Sequence, residues 1–448
     1  MTLFRAAGFR AVRVTSLWTP GLSQPDPGEL TVLQDVSTAA GMNGVRVFVT
    51  VMSPGSKTTP LTADARAQFA SYAAAIVAGV PGIRDVIVGN EPNLNRFWLP
   101  QFDLDGSDAA APAYEALLAQ TYDAIKTAAP DAVVYGGAVS PRGGDDPSST
   151  RQTHSPTAFI RDLGAAYRAS GRTTPIMDAF VIHPYGDNSS QPPTFAHPLS
   201  TSIGIADYGK LVALLGQAFD GTAQKGSTLP IVYGEYGVET QIPAAKASLY
   251  TGTEPTTTKP VTEQTQASYY QQALAMAFCQ PNVAGIMIFH AIDETGLAQW
   301  QSGVYYADGT PKSSLPAVRQ ALDQTVGARS RAARVSSSSS CRRISASGRA
   351  PLRCGARSAS RCAVISTAPT GCGSRSSPPT PRRGSPAAAR RWASSCESTS
   401  PHGASAAAPT ATPSASYSPS TRRRRRFARA RPSPCPESSP ARSGEGRQ

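Results

Sequence analysis

Two short strings, Gly89-Asn90-Glu91-Pro92 and Tyr233-Gly234-Glu235-Tyr236, each set a glutamate at the end of an apolar run. The runs are Val86-Ile87-Val88 and Ile231-Val232-Tyr233. A carboxylate at the carboxyl end of a buried parallel strand lies where α/β barrels assemble their chemistry. The glutamates are 144 residues apart, which suits two separate strands opening on one cavity. Paired carboxyl groups are the working parts of glycosidic-bond hydrolysis: one attacks or activates, the other protonates the leaving oxygen. Two carboxylates that close cannot both ionise easily, so one pKa must rise.

Elements of the right kind surround them. Seven apolar runs read as strands: Ala11–Thr15, Val45–Val51, Val86–Val88, Ala132–Val139, Ala179–Ile182, Ile231–Tyr233 and Gly285–Phe289. Stretches with helical spacing lie between several of them, at Ala63–Val77, Tyr114–Ala128, Pro156–Ala169, Ile205–Ala218 and Gln264–Ala277. This alternation predicts parallel βα units, and the near-continuous Val/Ile runs predict strands buried on both faces. Seven units are one short of an eightfold barrel. Met1 to Ala7 reads as the last turn of a helix stopped at Gly8, so the missing unit is expected at the start. The fold class predicted is α/β, a (β/α)8 barrel lacking its first βα unit. An open doubly wound sheet is the alternative, although the Gly-x-Gly-x-x-Gly turn of a dinucleotide fold is missing after the first strand. Two long connections, Leu94–Pro112 and Val238–Thr262, follow the two glutamates and are expected to build the cleft.

Composition divides the chain near residue 327. Residues 1–326 hold 20 Lys+Arg and 27 Asp+Glu, a net charge of −7. Residues 327–448 hold 23 Arg, no Lys, no Asp and three Glu, a net charge of +20. The basic total of +13 thus belongs to the tail, and the acidic first segment offers no electrostatic reason to bind nucleic acid or an anionic membrane. The domains expected are a barrel over 1–326 and a disordered, low-complexity basic tail over 327–448. Arg, Ala, Pro and Gly share GC-rich codons, so an out-of-frame translation is one reading of the tail; a genuine basic arm for nucleic acid is the other. Cys279 is the single cysteine of the first segment, which leaves it no internal disulfide. Tail spacings such as Cys362 to Cys372 match no zinc pattern. Neither a signal peptide nor a run of 18 apolar residues is present in the sequence.

Asn90-Glu91-Pro92 after a fourth strand, His183-Pro184-Tyr185 after a sixth and Glu235 after a seventh, counting as in an eightfold barrel, resemble clan A of the glycoside hydrolases. These are retaining, cellulase-like (β/α)8 enzymes, and the resemblance covers roughly residues 1–325. It implies Glu91 as general acid/base, Glu235 as nucleophile, and a double displacement on a β-linked polysaccharide or glycoside. It also implies that Arg13 and Tyr185 keep Glu235 charged, and that Asn90 binds the hydroxyl beside the reacting carbon. No cofactor and no metal are implied; the partner is a carbohydrate, with neither nucleic acid nor membrane expected for the barrel. Relatives of this kind are usually exported. A truncated, non-catalytic carbohydrate-binding barrel is the competing function.

The remaining candidates carry two readings each. His183 and Tyr185 share a strand face; His183 is a substrate contact or a hydrogen-bonded histidine of the barrel mouth. His290 ends the last strand where many clan members have a tryptophan platform, which leaves the floor of the sugar subsite open. Phe97, Trp98 and Trp300 could stack on sugar faces or pack within loops, and Trp18 carries the same ambiguity. Glu239 and Glu294 are weaker carboxylate candidates because neither directly ends an apolar run.

Overall fold

The structure, a computed structural model, describes residues 1–325. Residues 326–448, and with them the expectation of a disordered tail, lie outside the described residues. Seven parallel strands form one sheet in consecutive order: β1 Ala11–Leu17, β2 Arg46–Met52, β3 Asp85–Val88, β4 Val133–Val139, β5 Ala179–Ile182, β6 Ile231–Tyr236 and β7 Val283–Ile288. A doubly wound sheet needs a reversal of strand order; none occurs here. The sheet curls instead, so that β1 and β7 approach within 8 Å without pairing. Each predicted strand is present.

Helices α1 Thr2–Ala6, α2 Pro27–Asn43, α3 Ala63–Gly79, α4 Ala110–Ala128, α5 Pro156–Ala169, α6 Tyr208–Phe219 and α7 Glu263–Cys279 alternate with the strands. A final helix covers 315–325, and its Leu322 packs beside Gly8. Capping follows local chemistry. Asp26, Thr62, Ser155 and Thr262 accept backbone N–H groups at the starts of α2, α3, α5 and α7. The main core lies between sheet and helices and is built on Val86, Val88, Phe180, Ile182 and Ile231 against helix residues such as Tyr72, Leu118 and Phe159. A second cluster, with Phe48, Ile87, Tyr135, Val181 and Val232, fills the barrel interior. The buried Asp85 carboxylate there is held by Arg46 and by Tyr135, whose hydroxyl donates at 2.8 Å. No helix among the described residues is long and apolar enough to cross a membrane.

Candidate active site

Glu91 lies three residues beyond β3, and its backbone is set by strand β4. The ladder between β4 and β5 shifts register between Gly137 and Val139, leaving Ala138 at φ 48°. The carbonyl of Ala138 accepts the Glu91 N–H at 2.8 Å, and Glu91 itself is at φ 40°. A non-glycine residue there is strained and is held only by its surroundings. One such support is Asn93, whose side-chain oxygen accepts the Ser140 N–H and whose amide donates to the His154 carbonyl, both at 2.9 Å.

Glu235 is inside the end of β6 rather than beyond it, since that strand runs on to Tyr236. The register slips here as well: Tyr233 pairs with Ile286 and Tyr236 with Ile288, so Gly234 and Glu235 span a bulge. Bulges re-aim side chains, and this one sends the carboxylate to the barrel mouth. Gly234 is required by close approach, because a Cβ would lie 2.5 Å from a Val181 methyl carbon.

Arg13 joins the parts. Its guanidinium on β1 donates to Glu235 Oε1 at 2.6 Å, to Asn90 Oδ1 at 2.9 Å and to Thr50 Oγ1 at 2.6 Å. Tyr185 donates to the other Glu235 oxygen at 2.9 Å. His183 is fully buried; its Nδ1 is 3.0 Å from Glu91 Oε1 and 3.6 Å from Glu235 Oε2. Its Nε2 is 3.4 Å from Arg13 Nη1. A guanidinium N–H can only donate, so in the neutral ring this contact places the imidazole proton on Nδ1, facing Glu91. One donor atom from each of Glu91, His183 and Glu235 falls within 4.8 Å of the other two. That set could ligate a metal ion by distance, but the Arg13 cation on Glu235 opposes a second positive charge.

The environment separates the two carboxyls by their partners. Burial alone would raise the Glu235 pKa; the fields of His183 and Arg13, with hydrogen bonds from Tyr185 and Arg13, outweigh it and hold the group below its ordinary value. Burial, reinforced by the Glu235 charge, pushes the Tyr185 hydroxyl well above its ordinary value, so it remains a donor. Among the cations and donors named here, Glu91 is bonded by His183 alone.

The aromatic candidates divide. Trp300 reaches the site: its ring centroid is 5.0 Å from Tyr185 and 5.3 Å from Phe289. Its backbone N–H donates to Glu294 at 2.9 Å, which gives that carboxylate a positioning contact. His290 stacks on Phe289 at 3.8 Å, and burial lowers its pKa against the pull of Glu294 and Glu235. Trp98 does not join them. It is 4% exposed and sits edge-on to Tyr114 in the main core, because a large apolar ring beside α4 gains more by burial than by facing the cleft. Trp18 is likewise core, edge-on to Phe69. Phe97 is half-buried under the Arg96 guanidinium. Glu239 is buried away from solvent, which pushes its carboxyl up to about 7. It lies near Lys312, whose ammonium donates to Asp293, Thr240 and the Gln301 carbonyl and so pins the loop that carries Trp300.

Thr50 is the functional residue that the sequence reading missed. The signal was present: a threonine inside the otherwise apolar stretch Val47–Val51, fully buried and therefore in need of a partner.

No protein-family model matches the sequence, and no curated protein does. Solved structures do. A family 39 glycoside hydrolase from the gut symbiont Bacteroides cellulosilyticus WH2 is 18% identical, with 72% of this chain and 59% of that chain covered and a TM-score of 0.51. A glucosidase from Croceicoccus marinus is 14% identical over 72% and 63% of the two chains, with a TM-score of 0.48. GH5_18 from Streptomyces cattleya, in complex with GlcNAc, is 16% identical over 72% and 73%, also at 0.48. This chain spans about three fifths of the length of the family 39 enzyme. The family 39 likeness is one of fold, and it agrees with the barrel that the clan A resemblance implied.

Proposed function

We propose that the chain is a retaining glycoside hydrolase that cleaves a β-linked polysaccharide or glycoside through a covalent glycosyl-enzyme. The observation that carries this reading is the pairing of Glu235, fixed by Arg13 and Tyr185, with Glu91 across His183. Retention needs carboxyl groups about 5–5.5 Å apart, whereas inversion needs about 6.5–9.5 Å to seat a water. Donor oxygens within 4.8 Å support the short geometry.

In this mechanism Glu235 attacks the anomeric carbon as Glu91 protonates the departing oxygen. Glu91, now ionised, takes a proton from water, and that water releases the sugar from Glu235. Arg13 and Tyr185 keep the nucleophile charged between turnovers. Asn90, oriented by Arg13, faces the hydroxyl next to the reacting carbon, while Trp300 and His290 line the sugar. Export from the cell belongs to the same reading and rests on the resemblance to clan A. The fold likeness to the family 39 glycoside hydrolase is consistent with this reading.

The test is the anomer formed first from aryl β-glycosides, followed by proton NMR, with the Glu235→Ala variant in parallel. The proposal expects a β product from the native chain. In the variant it expects turnover lost and partly restored by azide, with an α-glycosyl azide formed. Native release of the α-anomer, or a variant as fast as the native chain, would end it.

A further inference from the structure

Beyond β7 the chain forms a loop, residues 291–302, that carries Trp300. One buried cation closes this loop at its neck. Lys312 Nζ donates to Asp293 Oδ1 at 2.8 Å, to the Gln301 carbonyl at 2.9 Å and to Thr240 Oγ1 at 2.7 Å. An ammonium has three hydrogens and accepts nothing, so these three partners use it completely. Asp293 and Gln301 stand at the two ends of the segment 294–300, and Thr240 belongs to the connection that follows Glu235. The Lys312 backbone is set as well, its N–H donating to the Val304 carbonyl at 3.0 Å. The side chains of Lys312 and Asp293 are both at 0% exposure, so the ammonium acts through the loop and not on substrate.

Within the clasp the loop is knit further. Asp293 also accepts the Gly303 N–H through Oδ1 and the Tyr250 hydroxyl through Oδ2, both at 2.8 Å. The Gln301 side-chain amide donates to the carbonyls of Glu294 and Gly296 at 3.2 and 2.8 Å. Trp300 and Glu294 exchange two bonds: the Trp300 N–H reaches Glu294 Oε2 at 2.9 Å, and the Glu294 N–H reaches the Trp300 carbonyl at 3.0 Å. The Trp300 ring then lies 5.0 Å from that of Tyr185, which donates to Glu235. Contiguous contacts therefore run from Lys312 through Gln301 and Trp300 to the wall of the sugar site.

We propose that Lys312 is a positioning residue for substrate: its clasp on Asp293 and Gln301 holds Trp300 against Tyr185 as a wall of the sugar site. A buried ion pair is no more stabilising than well-packed apolar side chains of the same volume, so stability alone gives no reason for one at this neck. Fixing a single loop geometry does. Burial lowers the Lys312 pKa, and the Asp293 charge and hydrogen bond act against it, so the pair sustains the charge that the three donated bonds require. The assignment deepens the glycosidase reading and rests on it for the sugar, whereas the clasp itself is a matter of loop geometry.

The test replaces both partners together, Lys312→Met with Asp293→Asn, so that no buried charge is left alone. The full chain is labelled with 5-fluorotryptophan and followed by fluorine NMR, the Trp300 signal being identified by its loss in Trp300→Phe. The proposal expects that signal to shift or broaden in the double variant while those of the core residues Trp18 and Trp98 stay in place. KM for an aryl β-glycoside should rise about fivefold or more, with kcat changed less. In a Trp300→Ala background the same two substitutions should add no more than about twofold to KM, because the residue they act through is gone. If the double variant does not fold, Thr240→Val removes one acceptor and no charge, and should show the same three effects at smaller amplitude. An unmoved Trp300 signal, equal disturbance of all three tryptophans, or a KM increase that persists in full without Trp300 would overturn the proposal. A native chain inert toward glycosides would count against the glycosidase reading alone, and the Trp300 signal would still decide the clasp.

Discussion

Strands β3 and β5 at the middle of the sheet and strands β1 and β7 at its margins are built on opposite terms. Val86, Ile87, Val88, Phe180, Val181 and Ile182 are completely buried. On β1, Thr15 and Leu17 are exposed, Leu17 at 47%, and β7 is half-buried over most of its length. Yet β1 delivers Arg13, the side chain on which Glu235, Asn90 and Thr50 converge. The middle of the sheet is organised by packing and the margin by charge and hydrogen bonds. A site drawn from both relies on its polar ties at β1, where Val12 and Val14 are only partly buried against the core.

That contrast can be broken at several points. The largest effect is expected from Glu235→Ala, which removes the attacking group and should lower kcat about 10⁴-fold or more in steady-state assays. Arg13→Met comes next, with activity down roughly 10²-fold, the scale seen for losing a preorganised charge. The acid limb of its pH–rate profile should move to higher pH, because the Arg13 field is one of the forces holding the Glu235 pKa down. The linked stability has a definite sign: a depressed carboxyl pKa stabilises the fold above the unfolded value and loses that contribution as pH falls through the folded one. The native chain should therefore show a steeper loss of stability under acid than Arg13→Met, followed by thermal unfolding across that range. If the two profiles coincide, the tie from β1 is ornamental.

Packing is tested on its own terms by comparing Ile182→Ala with Leu17→Ala in urea unfolding. The first should cost about 2–5 kcal/mol as a fully buried deletion. The second should stay within about 0.5 kcal/mol. Equal costs would contradict the division between middle and margin. The smallest effect expected on activity is that of Thr50→Val, which keeps the volume of the strand residue but removes one acceptor of Arg13. Activity should fall about tenfold and stability by about 1–3 kcal/mol, because the Arg13 Nε–H loses its buried acceptor, as measured by kcat and by the midpoint of unfolding.

The division also explains what could be read from the sequence. Apolar runs marked all seven strands, although only the inner ones are buried on both faces and β1 and β7 are partly exposed. Helix α2 had no counterpart in that reading, because only Leu33 and Ala40 are buried along it and its apolar stripe is faint. Its start was nonetheless signalled by Asp26-Pro27, a capping acid before a proline. Glu91, Glu235, Arg13, Asn90, His183 and Tyr185 were legible as a set because each occupies a strand or lies within three residues of a strand's carboxyl end. The bulge that re-aims Glu235 and the register shift that supports Glu91 were not, since both depend on neighbouring strands rather than on local pattern. Trp98 illustrates the other limit: a loop aromatic carries no mark of whether it faces a cleft or a core, and here the core claims it.

The most direct measurement is covalent trapping. The native chain would be incubated with a panel of activated 2-deoxy-2-fluoro β-glycosides, digested, and its peptides read by tandem mass spectrometry. The account predicts a single added fluorosugar on Glu235, formed with time-dependent loss of activity. Modification of another carboxylate, or brisk turnover of the parent glycosides with no adduct and an inverted product, would contradict it.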